Sequence, residues 1–226
     1  MCGRFTLTLP AEKLCALFQV SPPPGLGPRY NIAPTQPAPV VRPAGDEREM
    51  VLLRWGLVPP WARDPSLGSR LVNARAETAW EKPSFAPAFR RRRCLVPADG
   101  FYEWRKTPGG SRPYLFRFRD GRPFAFAGLW ERWERGEEPL ETFTILTTRA
   151  NALVAPIHPR MPVILDPRDY DAWLDPSLQD LSRLAGLLQP FPPGGMEGFP
   201  VTPRVNKPGF DEPACVEPLP DPPGLW

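Results

Sequence analysis

The second residue of the chain is a cysteine, set between Met1 and Gly3. A side chain this small permits removal of Met1, and the product carries a free α-amine beside a thiol on Cys2. Reference pKa values of about 7.7–8.0 for the amine and about 8.5 for the thiol leave both nucleophiles appreciably available at neutral pH. An aldehyde condenses with such an amine to a Schiff base. The thiolate then closes onto the imine carbon as a thiazolidine, a step favoured by the high effective molarity of an intramolecular nucleophile. Met-Cys taken alone is weak evidence, and an incidental second residue is then the commoner reading.

Three further residues have the chemistry to assist. His158 is the only histidine, in Ile157-His158-Pro159-Arg160-Met161-Pro162, where prolines and an arginine hold it in a rigid turn beside a cation. A lone histidine is, however, commonly structural. Glu103 stands among Phe101, Tyr102 and Trp104. A carboxylate partly desolvated by aromatic neighbours has a raised pKa and suits general acid/base work, although an edge-strand charge facing water would give the same local sequence. Asn73 lies at a predicted strand end close to Arg75, and by itself reads as a turn.

These residues are far apart in sequence, so strands must gather them. Residues 3–9 alternate, with Phe5, Leu7 and Leu9 on one side and Arg4, Thr6 and Thr8 on the other, which predicts a strand with one wet face. Pro10 suits the first position of a helix whose apolar stripe is Leu14, Leu17 and Phe18. Residues 21–43 are Pro-rich and read as an ordered, extended connection ending in a strand near Val40–Val41. Short β-branched and aromatic runs bounded by Gly or Pro predict strands at Met50–Trp55, Leu71–Asn73, Cys94–Val96, Phe101–Arg105, Tyr114–Phe118, Phe124–Leu129 and Phe143–Thr147. Helices are predicted at Pro167–Leu174 and Leu181–Leu188. Prolines fall between apolar runs, so they mark loops of one domain spanning 1–226. Residues 190–195 have the most flexible composition, and the tail after Pro218 is expected to pack poorly.

Composition excludes several classes. A chain of 226 residues can bury a sizeable core. No run approaches about 18 apolar residues, so no helical membrane span is expected. The polar N-terminus lacks the apolar stretch of a signal peptide, and a cytoplasmic location is the expectation. The four cysteines (Cys2, Cys15, Cys94, Cys215) form no CxxC, and with one histidine to help, neither a metal site nor disulfides are expected. Cys15 and Cys94 read as small buried hydrophobes. Net charge is +3, but its distribution is more telling: the cations are mostly arginine, with Arg90, Arg91, Arg92 and Arg93 consecutive. Arginine suits bidentate phosphate contacts and stacking on bases. A solvated basic face is the other reading of the run.

In order along the chain, MCGRF, RYNIAPTQPAPVV, RWGLVPPWARD, NARAET, CLVPADGFYEW, FAGLW, TTRANALVAPIHPRMPVIL and FPVTPRVNKP resemble the successive blocks of the SRAP family. These are the SOS-response-associated peptidases, also described as abasic-site processing proteins. The likeness runs from residue 1 to about 218. It implies that Cys2 forms a thiazolidine crosslink to the ring-opened sugar of an abasic site in single-stranded DNA, shielding the lesion. It further implies that Asn73 positions the Cys2 amine and the sugar, that Glu103 is the acid/base for Schiff-base formation and ring closure, and that His158 assists at the deoxyribose. Phosphate contacts carry over to Arg4, Arg75 and Arg160, and the DNA channel to Pro34, Trp61 and Thr147. A family tryptophan pair is single here, since Trp61 is followed by Ala62. The implied protein needs no cofactor or metal, acts as a monomer, and associates with the nucleoid when bound to DNA. The Arg90–Arg93 run could extend the phosphate track.

The expected fold is α+β with β dominant: a curved, partly closed, barrel-like antiparallel sheet with peripheral helices, its active residues gathered at one end. Three rivals have distinct signatures. An N-terminal-nucleophile glutaminase also begins Cys-Gly, but has a histidine segment early in the chain. A papain-like peptidase using Cys2 and His158 would not require an N-terminal cysteine, whereas self-removal of Met1 is compatible with the main reading. A non-catalytic single-strand-binding module would hold intact and abasic strands alike, with no SDS-resistant product.

Overall fold

A computed structural model describes residues 2–220. In chain order the elements are β1 (Phe5–Leu7), α1 (Ala11–Phe18), β2 (Arg29–Ile32), β3 (Pro37–Ala44), β4 (Glu47–Trp55), β5 (Asn73–Arg75), α2 (Ala86–Arg91), β6 (Arg93–Ala98), β7 (Gly100–Thr107), β8 (Gly110–Phe118), β9 (Phe124–Trp133), β10 (Leu140–Arg149), β11 (Arg160–Pro162), β12 (Ile164–Leu165), α3 (Tyr170–Leu174), α4 (Leu181–Leu187) and β13 (Met196–Pro200). The expected β-dominant fold is the one adopted, with its strands shared between two sheets. In the first, β10, β4, β3, β6 and β9 pair in that order and β9 returns to β10, closing a barrel. β10 runs parallel to β4 and β5 and antiparallel to β9 and β11. The second sheet, β13-β8-β7-β1-β2, is antiparallel throughout.

The N-terminal strand is interior to that second sheet, between β7 and β2. Phe5 fixes it there: its ring meets Trp55 edge-on at 5.2 Å and Phe126 at 5.8 Å, so the first buried side chain of β1 welds the sheet to the barrel. Burial of an aromatic ring of this kind contributes roughly 2–3 kcal/mol. The close approach of β1 to β7 requires Gly100, because a Cβ there would lie 2.7 Å from Thr6 Oγ1.

Several local expectations are corrected. The second face of β1 is not wet: Thr6 is buried, and its hydroxyl, like the Thr8 backbone and hydroxyl, donates to the Asp99 carboxylate. The strand predicted at Leu71–Asn73 is Asn73–Arg75, because the Leu71 and Val72 carbonyls are taken by Leu57 N, Trp55 Nε1 and Ile145 N. Cys94 is buried as expected, whereas Cys15 is half-buried. The Arg90–Arg93 run is not a uniform basic face. Arg93 is 2% exposed. It donates to the carbonyls of Trp173 (2.7 Å), Phe89 (2.8 Å), Leu178 (3.1 Å) and Asp175. Arg92 pairs with Glu131 at 2.9 Å, and only Arg90 and Arg91, at the end of α2, face solvent.

The helix predicted over Pro167–Leu174 is a 3-10 turn leading into α3, with Asp166 capping its start. Residues 190–195 are anchored, since Phe191 packs on Phe118 at 5.3 Å and its carbonyl accepts from Asn151 Nδ2. In the tail, Leu219 is exposed but its N–H donates to Pro200 at 2.8 Å, and residues 221–226 lie outside the described residues. No helix among the described residues is long and apolar enough to cross a membrane.

Candidate active site

Cys2 enters the site on the extension of β1. The register Phe5↔Phe101 and Thr6↔Gly100, continued through the Tyr102 N–H to Arg4 carbonyl bond of 3.0 Å, sets Gly3 opposite Glu103. Cys2 is fully buried, and its Sγ lies 3.7 Å from the Arg4 carbonyl. Burial, reinforced by the nearby Glu103 carboxylate, pushes the Cys2 thiol far up, so the sulfur is held as a thiol.

Asn73 arrives from the barrel. β5 lies beside β10 in the register Ile145↔Asn73, which puts the Asn73 amide against the N-terminal segment. Its Nδ2 donates to the Cys2 carbonyl at 2.7 Å, while its Oδ1 is buried and accepts no hydrogen bond from the described residues. The amide therefore grips the residue that precedes the second sheet.

Glu103 and His158 complete the cluster. Glu103 projects from β7, 2% exposed, and burial pushes its carboxyl up to about 7. The desolvation inferred from Phe101, Tyr102 and Trp104 is thus present, because a carboxylate moved into low dielectric loses the hydration that favours its charged form. His158 is carried by helical turns in which its own N–H donates to Val154 at 3.0 Å. Asn151 starts those turns, its Oδ1 accepting from Leu153 N at 3.1 Å and Val154 N at 3.0 Å. His158 Nδ1 is 3.8 Å from Glu103 Oε1, 3.1 Å from Arg160 N and 3.0 Å from Arg160 O. As a neutral acceptor Nδ1 takes the Arg160 N–H, and when protonated it can donate to the Arg160 carbonyl, so the ring changes state without moving. Burial pulls His158 below its ordinary value. Burial thus raises the carboxyl and lowers the imidazole, so in both groups it favours the uncharged form.

The expected DNA contacts occupy different settings. Arg75 is exposed at the end of β5. Arg160 forks onto Glu77 at 2.6 and 2.8 Å and donates to the Thr147 carbonyl. Thr147 is fully buried, its hydroxyl facing Arg160 and the Ala74 carbonyl instead of the surface. Arg4 is half-buried and donates to Asn31 Oδ1 at 3.0 Å and to the carbonyls of Val205 and Asn206, fastening the N-terminal segment to residues 203–206. Pro34 is half-buried next to Thr35, a β-branched residue at φ 72° whose N–H donates to the Trp55 carbonyl. Trp61 is 50% exposed. The following Ala62 is buried against Val58 and Trp133, so the position after Trp61 has no surface for a second indole. Among the described residues no group of three or more His, Cys, Asp or Glu is placed to hold a metal ion.

A profile of the family "SOS response associated peptidase (SRAP)" matches residues 1–208. The chain belongs to the SRAP family. Its sequence is 41% identical over 222 residues to the abasic site processing protein YoqW of Bacillus subtilis, covering 96% of this chain and 99% of that one. It is 35% identical over 225 residues to the abasic site processing protein HMCES of Gallus gallus, covering 85% of this chain and 66% of that one. A crystal structure of a protein from Bacteroides thetaiotaomicron superimposes with a TM-score of 0.87 at 30% identity, over 96% of this chain and 100% of that one.

Within this SRAP chain the structure adds residues that sequence reasoning left without a role. Glu77 clamps Arg160, Asn151 caps the turns that carry His158, and buried Asn31 holds Arg4. Asn151 had a legible signal, an Asn three residues before Val154 at a helical start. Glu77 and Asn31 make contacts 83 and 27 residues away, and no local pattern announces them.

Proposed function

We propose that this protein processes abasic sites in single-stranded DNA by covalent capture, using the amine and thiol of Cys2 after removal of Met1. The observation that carries the reading is the meeting of Cys2, Asn73, Glu103 and His158, drawn from four distant segments, around a buried cysteine at the start of the chain. A cysteine in an incidental second position has no reason to be gripped this way.

The chemistry balances on one carboxyl group. The Cys2 amine adds to the sugar aldehyde to give a carbinolamine. Glu103, protonated in a substantial fraction of molecules near neutral pH, donates its proton to the carbinolamine hydroxyl, which leaves as water. The Cys2 thiol, kept protonated by burial, then adds across the iminium carbon as its proton passes to the Glu103 carboxylate. The net change is aldehyde plus aminothiol to thiazolidine plus water, and Glu103 ends as it began. Asn73 holds the Cys2 carbonyl, and its Oδ1 is available to the amine. His158, able to accept or donate at its ring, serves the sugar oxygen during opening of the hemiacetal to the aldehyde. Selectivity follows from the substrate: only a nucleotide without its base offers an aldehyde. Arg75 and Arg160 supply backbone affinity that needs no sequence readout.

The test is an SDS-resistant adduct between the protein and an oligonucleotide with one abasic site. Cys2→Ala is expected to abolish it while leaving affinity for intact single strands nearly unchanged. Cys2→Ser is expected to give only an imine trapped by borohydride. An adduct from Cys2→Ala at the wild-type level would overturn the proposal.

A further inference from the structure

Among the tryptophans of the described residues, only Trp61 and Trp80 present large surface to solvent, at 50% and 38% exposure. Scattered exposed aromatics are ordinary, but these two are coupled. Trp80 Nε1 donates to the Glu77 carbonyl at 3.1 Å, and Trp61 Nε1 donates to the Pro83 carbonyl at 3.4 Å. Both acceptors lie on one segment, Glu77 to Pro83. That segment is wound in helical turns, with Ala79 N bonded to Arg75 O at 2.9 Å and Lys82 N to Thr78 O at 3.1 Å. Buried Ala79 and Phe85 anchor it, and residues 80–83 between them form a continuous exposed stretch. With their N–H groups satisfied by the backbone, the indoles are held in fixed orientations, and what they can still offer a ligand is ring surface.

Charge favours one occupant. Arg75, which leads into the stretch, and Lys82 within it are exposed, against Glu81, while the Glu77 carboxylate is neutralised by Arg160. The stretch is also continuous with the active site: β5 begins at Asn73, beside Cys2, and leads through Arg75 directly into it. We propose that Trp80 is a stacking platform for a nucleobase of the bound single strand, near the nucleotide held at Cys2. Stacking on an indole face accepts any base, as a lesion-directed protein requires. The inference rests on the single-stranded DNA reading above and adds to it a binding residue.

The experiment uses the full chain and intact oligo-dT, so no covalent step enters. Trp80→Ala is expected to weaken binding by about tenfold, within the range for loss of one stacked base, with the salt slope unchanged because no cation is removed. Trp80→Phe should retain most of the affinity. A tetrahydrofuran spacer, which lacks both base and aldehyde, is then moved along the strand. At one position it should weaken wild-type binding by a similar factor and leave Trp80→Ala unaffected. Thermal melting of both variants separates a folding defect from a binding one. Equal affinity of Trp80→Ala and wild type, or a spacer penalty that persists in Trp80→Ala at every position, would overturn the assignment. Failure of the wild type to bind oligo-dT at all would overturn it together with the single-strand reading. Loss of crosslinking chemistry alone would leave it standing.

Discussion

Replacing Glu103 by glutamine should stabilise the protein at alkaline pH and cripple its chemistry at neutral pH. The side chain is 2% exposed, and burial raises its carboxyl from an ordinary 4.5 to about 7. A carboxyl whose folded pKa is raised favours the folded state fully only below its unfolded value, and that advantage is lost as pH rises through the folded value. The loss therefore runs from about pH 4.5 to about pH 7. Its full size is on the order of 3 kcal/mol, from about 1.4 kcal/mol per pKa unit. Glutamine has no proton to lose. Relative to wild type, Glu103→Gln should gain little at pH 4.5 and approach that full difference by pH 8, read as denaturation midpoints in urea at matched m-values. The catalytic consequence has the opposite sign. At pH 7 about half of the Glu103 population is protonated, against about 0.3% for an ordinary glutamate, an advantage of over a hundredfold as a proton donor. Crosslinking by Glu103→Gln should fall by about a hundredfold and lose the inflection near pH 7. Identical midpoints for the two proteins at pH 8 would refute the argument, since the carboxylate would then carry no burial penalty.

Three further outcomes are expected. His158→Ala should slow crosslinking to a native abasic site but be largely rescued on a substrate supplied as the open aldehyde, where Glu103→Gln is not; single-turnover rates on the two substrates make the comparison. Arg75→Ala should weaken binding to all single strands alike and reduce the salt slope by about one for the phosphate no longer neutralised, whereas Arg160→Ala should weaken it by releasing the Glu77 carboxylate, both measured by titration at several salt concentrations. Arg93→Ala should destabilise the fold by about 3–5 kcal/mol, because it removes a buried cation and strands the carbonyls of Phe89, Trp173, Asp175 and Leu178, with no change in salt slope. Chemical denaturation checks the first part of that statement and DNA titration the second.

The residues that meet at the candidate site were largely legible in sequence, and the architecture that brings them together was not. Cys2, Glu103 and His158 announce themselves through position, neighbours and rarity, which are local properties. The β-dominant class was equally readable, because short alternating runs between prolines have few other solutions. Barrel closure depends on β10 pairing with β9 on one side and with β4 and β5 on the other, and no single strand records its partners. β2 was hidden in a Pro-rich stretch that composition describes as a connection, and β11 and β12 are too short for periodicity to register. The arginine run failed for a related reason. Four consecutive identical charges look equivalent in sequence, yet Arg93 starts an interior strand and Arg90 and Arg91 end a surface helix. Assigning Arg93 to the interior would have required knowing that the carbonyls around α3 needed a donor.

Under the proposed chemistry, the use of the Cys2 α-amine makes the position of the translation start a functional parameter of the gene, and the complete burial of Cys2 leaves little room for an extension. An internal nucleophile tolerates an extension at either end of the polypeptide. If the reacting amine is that of Cys2, as proposed, an uncleaved affinity tag or acetylation of that amine is expected to silence the protein with every other residue intact. Expression vectors for this protein should place fusions at the C-terminus, and a gene prediction that misplaces the initiator by even one codon would describe a protein unable to form its bond.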